Sequence, residues 1–201
     1  MRGGLSKEEL MEDLARRVAE CRRCPLFKHR RRVVVGEGNL NALVMFVGEA
    51  PGYYEDLKGR PFVGAAGRVL DRLLEEMGLR REEVYIGNVV KCRPPGNRDP
   101  REEEIEACSP YLDEQLEIIK PRVIVPLGRF STRYVMTKFG LRPAPISRIH
   151  GRPYEASSPY GPVIVFPFYH PAVALYKKGM EEALFEDARR LRAVLSERGY
   201  I

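Results

Sequence analysis

The chain has no apolar run near the roughly 20 residues that a membrane-spanning helix needs, and its first residues are too polar for a secretory signal. No membrane partner is expected, and the expected location is the cytoplasm, at the nucleoid if the partner is DNA. Asparagine and glutamine are scarce, four and one. Beside so many Arg and Glu, that scarcity hints at a heat-adapted source, where thermolabile amides are avoided. The one glutamine, Gln115, falls inside a predicted helix with no aromatic pair after it. No sliding-clamp motif is therefore visible, and clamp association stays open. Repeats, low-complexity tracts and linkers are also missing. The 201 residues read as one domain, 1–201, working as a monomer. Acidic excess is absent too: net charge is +6 and the pI is near 9.2, a balance that leans weakly toward a polyanionic partner.

What is present is arranged around one stretch. Residues 42–47 are a continuous apolar run that reads as a buried strand, and residues 68–77 repeat apolar side chains at helical spacing. Between them lie Gly48-Glu-Ala-Pro-Gly52 and Gly59-Arg-Pro-Phe-Val-Gly64. A glycine-dense loop from strand to helix is the usual ligand position in an open α/β sheet. Glycine admits close backbone approach, and the helix N-terminus offers free N–H groups. The spacing fits neither the dinucleotide fingerprint nor the Walker pattern. Acids (Glu49, Glu55, Asp56) and rings (Tyr53, Tyr54, Phe62) share the loop, a mixture suited to holding a flat polar ring. A plain connector is the competing reading.

Along the rest of the chain, residues 5–20 predict an amphipathic helix with a Ser6–Glu9 capping box, leading to Cys21 and Cys24. A basic run from Lys28 to Arg32 follows, with His29 inside it. Strands are expected at 84–90, 123–127 and 163–167. Helices are expected at 101–120, 129–139 and 180–198, and an irregular Pro-rich stretch at 141–162 holds at most a short strand near 152–155. Alternating strands and helices predict an α/β fold: a three-layer α/β/α sandwich around a central, mainly parallel four-stranded sheet. Glu49, Asn88 and His170 all fall at or just past apolar runs. Carboxyl ends of parallel strands share one sheet edge, so the three can meet. Taken singly, Asn88 reads as a turn former, Phe62 as core and His170 as a satisfied loop histidine.

The four cysteines form two pairs, C-x2-C at Cys21 and Cys24 and C-x15-C at Cys92 and Cys108. Two disulfides, a four-thiolate zinc site and an iron–sulfur cluster all remain open on spacing alone. The C-x2-C pair suits a metal better than a structural disulfide.

The motifs Gly48-Glu-Ala-Pro-Gly52, Gly59-Arg-Pro-Phe-Val-Gly64 and His170-Pro-Ala172 closely resemble those of the family 4 uracil-DNA glycosylases, the iron–sulfur kind of thermophilic archaea and bacteria. The likeness extends over most of the chain. It implies a monofunctional enzyme that flips uracil out of single- or double-stranded DNA and leaves an abasic site. It implies a [4Fe–4S] cluster on Cys21, Cys24, Cys92 and Cys108. The cluster would clamp the first helix to the loop after the second strand and orient Arg22, Arg23 and Arg93 toward phosphates. It makes Glu49 and His170 the catalytic candidates, and Gly48, Ala50, Glu55, Phe62 and Asn88 the uracil-binding ones. His170 would donate to O2, Asn88 would read N3–H and O4, Phe62 would stack, and Glu49 or Glu55 would face the cationic sugar. Leu175, Tyr176, Lys177 and Lys178 resemble the loop that enters the duplex. Ala50 stands where family 1 enzymes carry an aspartate, so Glu49 is favoured for the water. Gly52 stands where they carry a tyrosine, so exclusion of thymine falls to Glu55 or Tyr53. A DNA-binding module with iron–sulfur or zinc but no chemistry, a small-molecule nucleotide enzyme, and a broader family 5 type are the rivals. Glu49 and Asn88 fit family 4 better than family 5.

Overall fold

A computed structural model describes residues 4–201. Helix α1, Lys7–Ala19, begins as the capping box predicts: the Glu9 N–H donates to Ser6 Oγ at 3.1 Å, and the Ser6 N–H to Glu9 Oε2 at 2.7 Å. The short edge strand β1, Glu37–Gly38, leads to β2, Val44–Gly48, which is buried throughout. The glycine-rich stretch folds as α2, Tyr53–Lys58, a turn, and α3, Ala65–Met77. Strand β3 is Tyr85–Asn88 and helix α4 is Glu102–Ile119. Helix α4 starts one residue inside the expected 101–120. Its N-cap is Arg101, whose N–H donates to Glu104 Oε2 at 2.8 Å. Then come β4, Val123–Pro126, α5, Arg129–Lys138, the single turn α6, Ile146–Ile149, and β5, Tyr154–Ser158. Strand β6, Gly161–Val165, the turn α7, Val173–Tyr176, and α8, Met180–Glu197, finish the described chain.

The sheet has six strands in the order β1-β3-β2-β4-β6-β5, not four. The central β3-β2-β4-β6 are parallel, as expected. The two added strands are antiparallel edges: β1 on β3 and β5 on β6. Strand β1 escaped the apolar pattern, and β5 was expected only as a short strand near 152–155, for a physical reason. An edge strand is half solvated, so β1 needs only two residues and β5 (Tyr-Glu-Ala-Ser-Ser) alternates between half-buried and exposed. Period-two packing divides the core. Val44 and Phe46 face α3 and α8 with Leu70, Leu73, Leu184 and Leu191. Met45 and Val47 face α1, α4 and α5 with Leu14, Leu112 and Val135. Gly48 pairs with Asn88 at the carboxyl ends of β2 and β3, and a bridge between Leu127 and Phe168 carries β4 and β6 to the same edge. That edge is where the candidate residues gather.

Candidate active site

A cleft of about 620 Å³ opens over the carboxyl ends of the parallel strands. Glu49, Ala50, Glu55, Phe62, Asn88 and His170 all line it, together with Tyr176. Gly48 does not line it but packs against two residues that do. A Cβ there would sit 2.3 Å from Asn88 Oδ1 and 2.7 Å from the Phe62 ring, so both groups occupy space that only glycine leaves. The buried Asn88 amide makes no hydrogen bond among the described residues. Its backbone is fixed instead: the carbonyl accepts from the wholly buried Lys91 Nζ at 2.7 Å, and that ammonium also donates to Gln115 Oε1 at 2.6 Å.

His170 follows β6. Its Nδ1 accepts the Ala172 N–H at 3.1 Å, which leaves the ring proton on Nε2. Burial pushes its pKa down to about 4 against the opposing pull of Glu55, so the imidazole is neutral near pH 7. The Phe62 ring stacks on it, with centroids 5.7 Å apart and planes at 27°.

Glu49 is the other strongly perturbed group. Burial raises its carboxyl pKa to about 7, outweighing a Phe130 N–H that donates to Oε1 at 3.3 Å. The nearby Asp99 adds to the rise and Arg129 opposes it. The carboxylate rests over Gly128, where a Cβ would stand 2.3 Å from Oε1, at the N-terminus of α5. A half-buried carboxylate at that terminus, titrating near neutrality, is suited to meeting developing positive charge or holding water.

Glu55 lines the cleft but spends its oxygens on the loop. Oε2 accepts the Gly52 N–H at 3.2 Å, and Oε1 accepts those of Val63 and Gly64 at 2.9 and 3.0 Å. It ties the two halves of the motif together. Tyr53 does not line the cleft; its ring is flanked by the Arg31 and Arg93 guanidiniums at 5.6 and 5.2 Å. Asp56 is buried and accepts the Arg31 N–H at 2.8 Å. Leu175 and Tyr176, 53% and 75% exposed, ride on α7 at the cleft rim, with Lys177 and Lys178 exposed after them.

The cysteines lie elsewhere. All four line a second, tight cavity that shares no residue with the cleft. None forms a disulfide. The Lys91 N–H donates to Cys108 Sγ and Arg30 Nη1 to Cys92 Sγ, both at 3.2 Å. Burial raises the Cys24, Cys92 and Cys108 thiols, Cys108 to about 12, so they hold their protons unless a cation replaces them. Among the described residues, no three His, Cys, Asp or Glu side chains form a group that could hold one metal ion. His29 is exposed.

Sequence reasoning missed several contributors. Gly128 and Arg129 follow a strand and open a helix, the same signal that marked Gly48. Arg81 gave no local signal, because its partners lie 10 to 44 positions away. Tyr169 and Ile146 also line the cleft, Ile146 from the stretch expected to be irregular.

The sequence matches the family described as the uracil DNA glycosylase superfamily over residues 35–191. It is 50% identical over 183 residues to the type-4 uracil-DNA glycosylase of Sulfurisphaera tokodaii, covering 90% of this chain and 83% of that one. It is 44% identical over 196 residues to the type-4 uracil-DNA glycosylase of Thermotoga maritima, covering 96% and 99%. Similarity to the type-5 uracil-DNA glycosylase of Pyrobaculum aerophilum is lower, 34% over 215 residues, covering 90% and 92%.

Proposed function

Because the chain belongs to the type-4 uracil-DNA glycosylases of the uracil DNA glycosylase superfamily, we propose that it hydrolyses the bond between uracil and deoxyribose in DNA, leaving an abasic site for base excision repair. The observation that carries this is the joining of an unpartnered Asn88 amide, a neutral His170 and a half-buried Glu49 in one cleft. An Asn amide accepts from uracil N3–H and donates to O4, and cytosine reverses both positions. Phe62 stacks on the flipped base. Nε2–H of His170 donates to O2 as charge grows on the departing uracil, the device that lowers barriers most in a dry pocket. Glu49, ionised above about pH 7, stabilises the cationic sugar and orients the attacking water. Glu55, which lines the cleft where Tyr53 does not, is the candidate for pressing on C5 of thymine.

No lysine lines the cleft among the described residues, in line with a monofunctional enzyme that forms no Schiff base. Leu175 and Tyr176 fill the space a flipped base leaves, while Lys177 and Lys178 meet phosphates. The enzyme is read as a monomer acting at the nucleoid, and no helix among the described residues is long and apolar enough to cross a membrane.

Cys21, Cys24, Cys92 and Cys108 would hold a [4Fe–4S] cluster. The fit rests on an all-thiol donor set around one cavity and two N–H···S bonds. Such a cluster supplies a covalent tie from the end of α1 to α4 and the β3–α4 loop.

The test is a cleavage assay on oligonucleotides holding one U, T or C, with anaerobically purified protein carrying about four irons per chain. Abasic sites at U alone, and loss of about 100-fold or more in Asn88→Asp and His170→Ala, are expected. No product at U from the iron-loaded wild type would leave a DNA-binding module in its place.

A further inference from the structure

Phe62 has a backbone φ of +50°, a region that side chains larger than glycine rarely enter. Asn97 and Lys120 share that feature, but Asn97 sits in a turn and Lys120 at the end of α4. Phe62 lies in the cleft wall, with its ring stacked against His170. Something outside the loop must hold it there.

Arg81 does so by contact with the backbone. Its Nη1 donates to the Phe62 carbonyl at 3.0 Å, and its Nη2 donates to the Pro61 carbonyl. The guanidinium is itself aimed by two carboxylates: Nη1 also donates to Asp71 Oδ1 at 2.8 Å, and Nε to Glu37 Oε1 at 3.1 Å. Four of the five N–H bonds of the fork are thereby used, and the side chain is only 22% exposed. Planar, forked geometry is the property a lysine lacks. From the other side, α3 leaves no slack. A Cβ on Gly67 would lie 1.9 Å from the Phe62 carbonyl oxygen. The carbonyl is thus wedged between a guanidinium and a glycine, and the ring on the same residue takes its direction from that wedge.

We propose that Arg81 is a positioning residue for the reaction: its guanidinium fixes the left-handed turn at Phe62 and so holds the ring where the base stacks beside His170. The assignment rests on the uracil-excision reading for its catalytic consequence, though not for its geometry. Arg81 touches no substrate. It acts only through Phe62, and that gives the proposal its test.

The experiment is a double-mutant cycle of Arg81→Lys and Phe62→Ala, with kcat and KM read on a uracil oligonucleotide and inhibition by free uracil measured alongside. Arg81→Lys keeps the charge beside Asp71 and Glu37, so it is expected to fold. It is expected to lower kcat about 10- to 100-fold, the scale of a small misplacement at a reacting centre. KM for the oligonucleotide should change less than about threefold, because the basic surface is untouched. Free uracil should inhibit about tenfold more weakly. In the Phe62→Ala background the same change should have almost no further effect. Wild-type kcat and uracil inhibition in Arg81→Lys, or an equal loss with and without the Phe62 ring, would overturn the proposal. A crystal structure of Arg81→Lys separates the two readings. If the wild type excises no uracil, the function fails. The clamp then stands if Phe62 leaves the left-handed region in the variant, and falls if it does not.

Discussion

A single carboxylate and a single imidazole set the expected chemistry, and both are defined by burial. Glu49 ionises near pH 7 and His170 near pH 4. If Glu49 acts as a carboxylate, kcat/KM rises with pH through about 7 to a plateau, and no histidine limb appears between pH 5 and 9. Glu49→Gln should lose the limb along with most of the rate; a limb that persisted would belong to another group. The same shift has a signature in stability. The unfolded carboxyl loses its proton near 4.5, whereas the folded one keeps it to about 7. Across that window the unfolded chain binds fewer protons, so stability falls as pH rises, by at most about 3 kcal/mol. Glu49→Gln should therefore melt above wild type at pH 8 and level with it near pH 4.5. Glu49 was legible in the sequence as an acid after a strand. Its pKa was not, because that depends on α5 and Gly128, far along the chain.

Helix α3 shows how an element's own preference yields to what packs on it. Its first turn contains Gly67, and by helix propensity a Gly→Ala change gains up to about 1 kcal/mol. Packing opposes this, since the new Cβ would fall 1.9 Å from the Phe62 carbonyl oxygen. Overpacking of that kind costs about 1–3 kcal/mol, so the clash wins. Gly67→Ala is expected to lower both the melting temperature and the cleavage rate. Unchanged values in thermal unfolding and kinetics would mean that the Pro61–Phe62 turn relaxes freely. Helices α1, α4, α5 and α8 were legible to within a few residues because each has an apolar stripe and polar flanks. Strand β5 was only half visible, since Glu155 and its serines look like loop, and hairpin pairing with β6 makes them a strand.

Over the whole molecule, the +6 net charge supplies attraction to DNA that carries no base information. Affinity for a uracil oligonucleotide should fall linearly with salt on logarithmic axes. Replacing Lys177 and Lys178 together by Ala should reduce the slope by about 1.5 to 2, if each meets one phosphate. Inhibition by free uracil, which has no phosphate, should stay within about twofold of wild type at every salt concentration. An unchanged slope would place α7 away from the phosphates.

By itself the sequence determined the parallel α/β order and the sheet edge at which Glu49, Asn88 and His170 meet, because apolar periodicity and strand direction are local properties. It also carried the family motifs. Tertiary structure alone decided what those residues are poised to do. The sole glutamine, Gln115, proves to be a buried partner of Lys91, and a lysine beside a cysteine proves to hold the Asn88 carbonyl. Arg81, one arginine in a run of charges, reaches back to Phe62. Burial, hydrogen-bond partners and pKa arise from contacts between distant segments, and those exist only once the layers close.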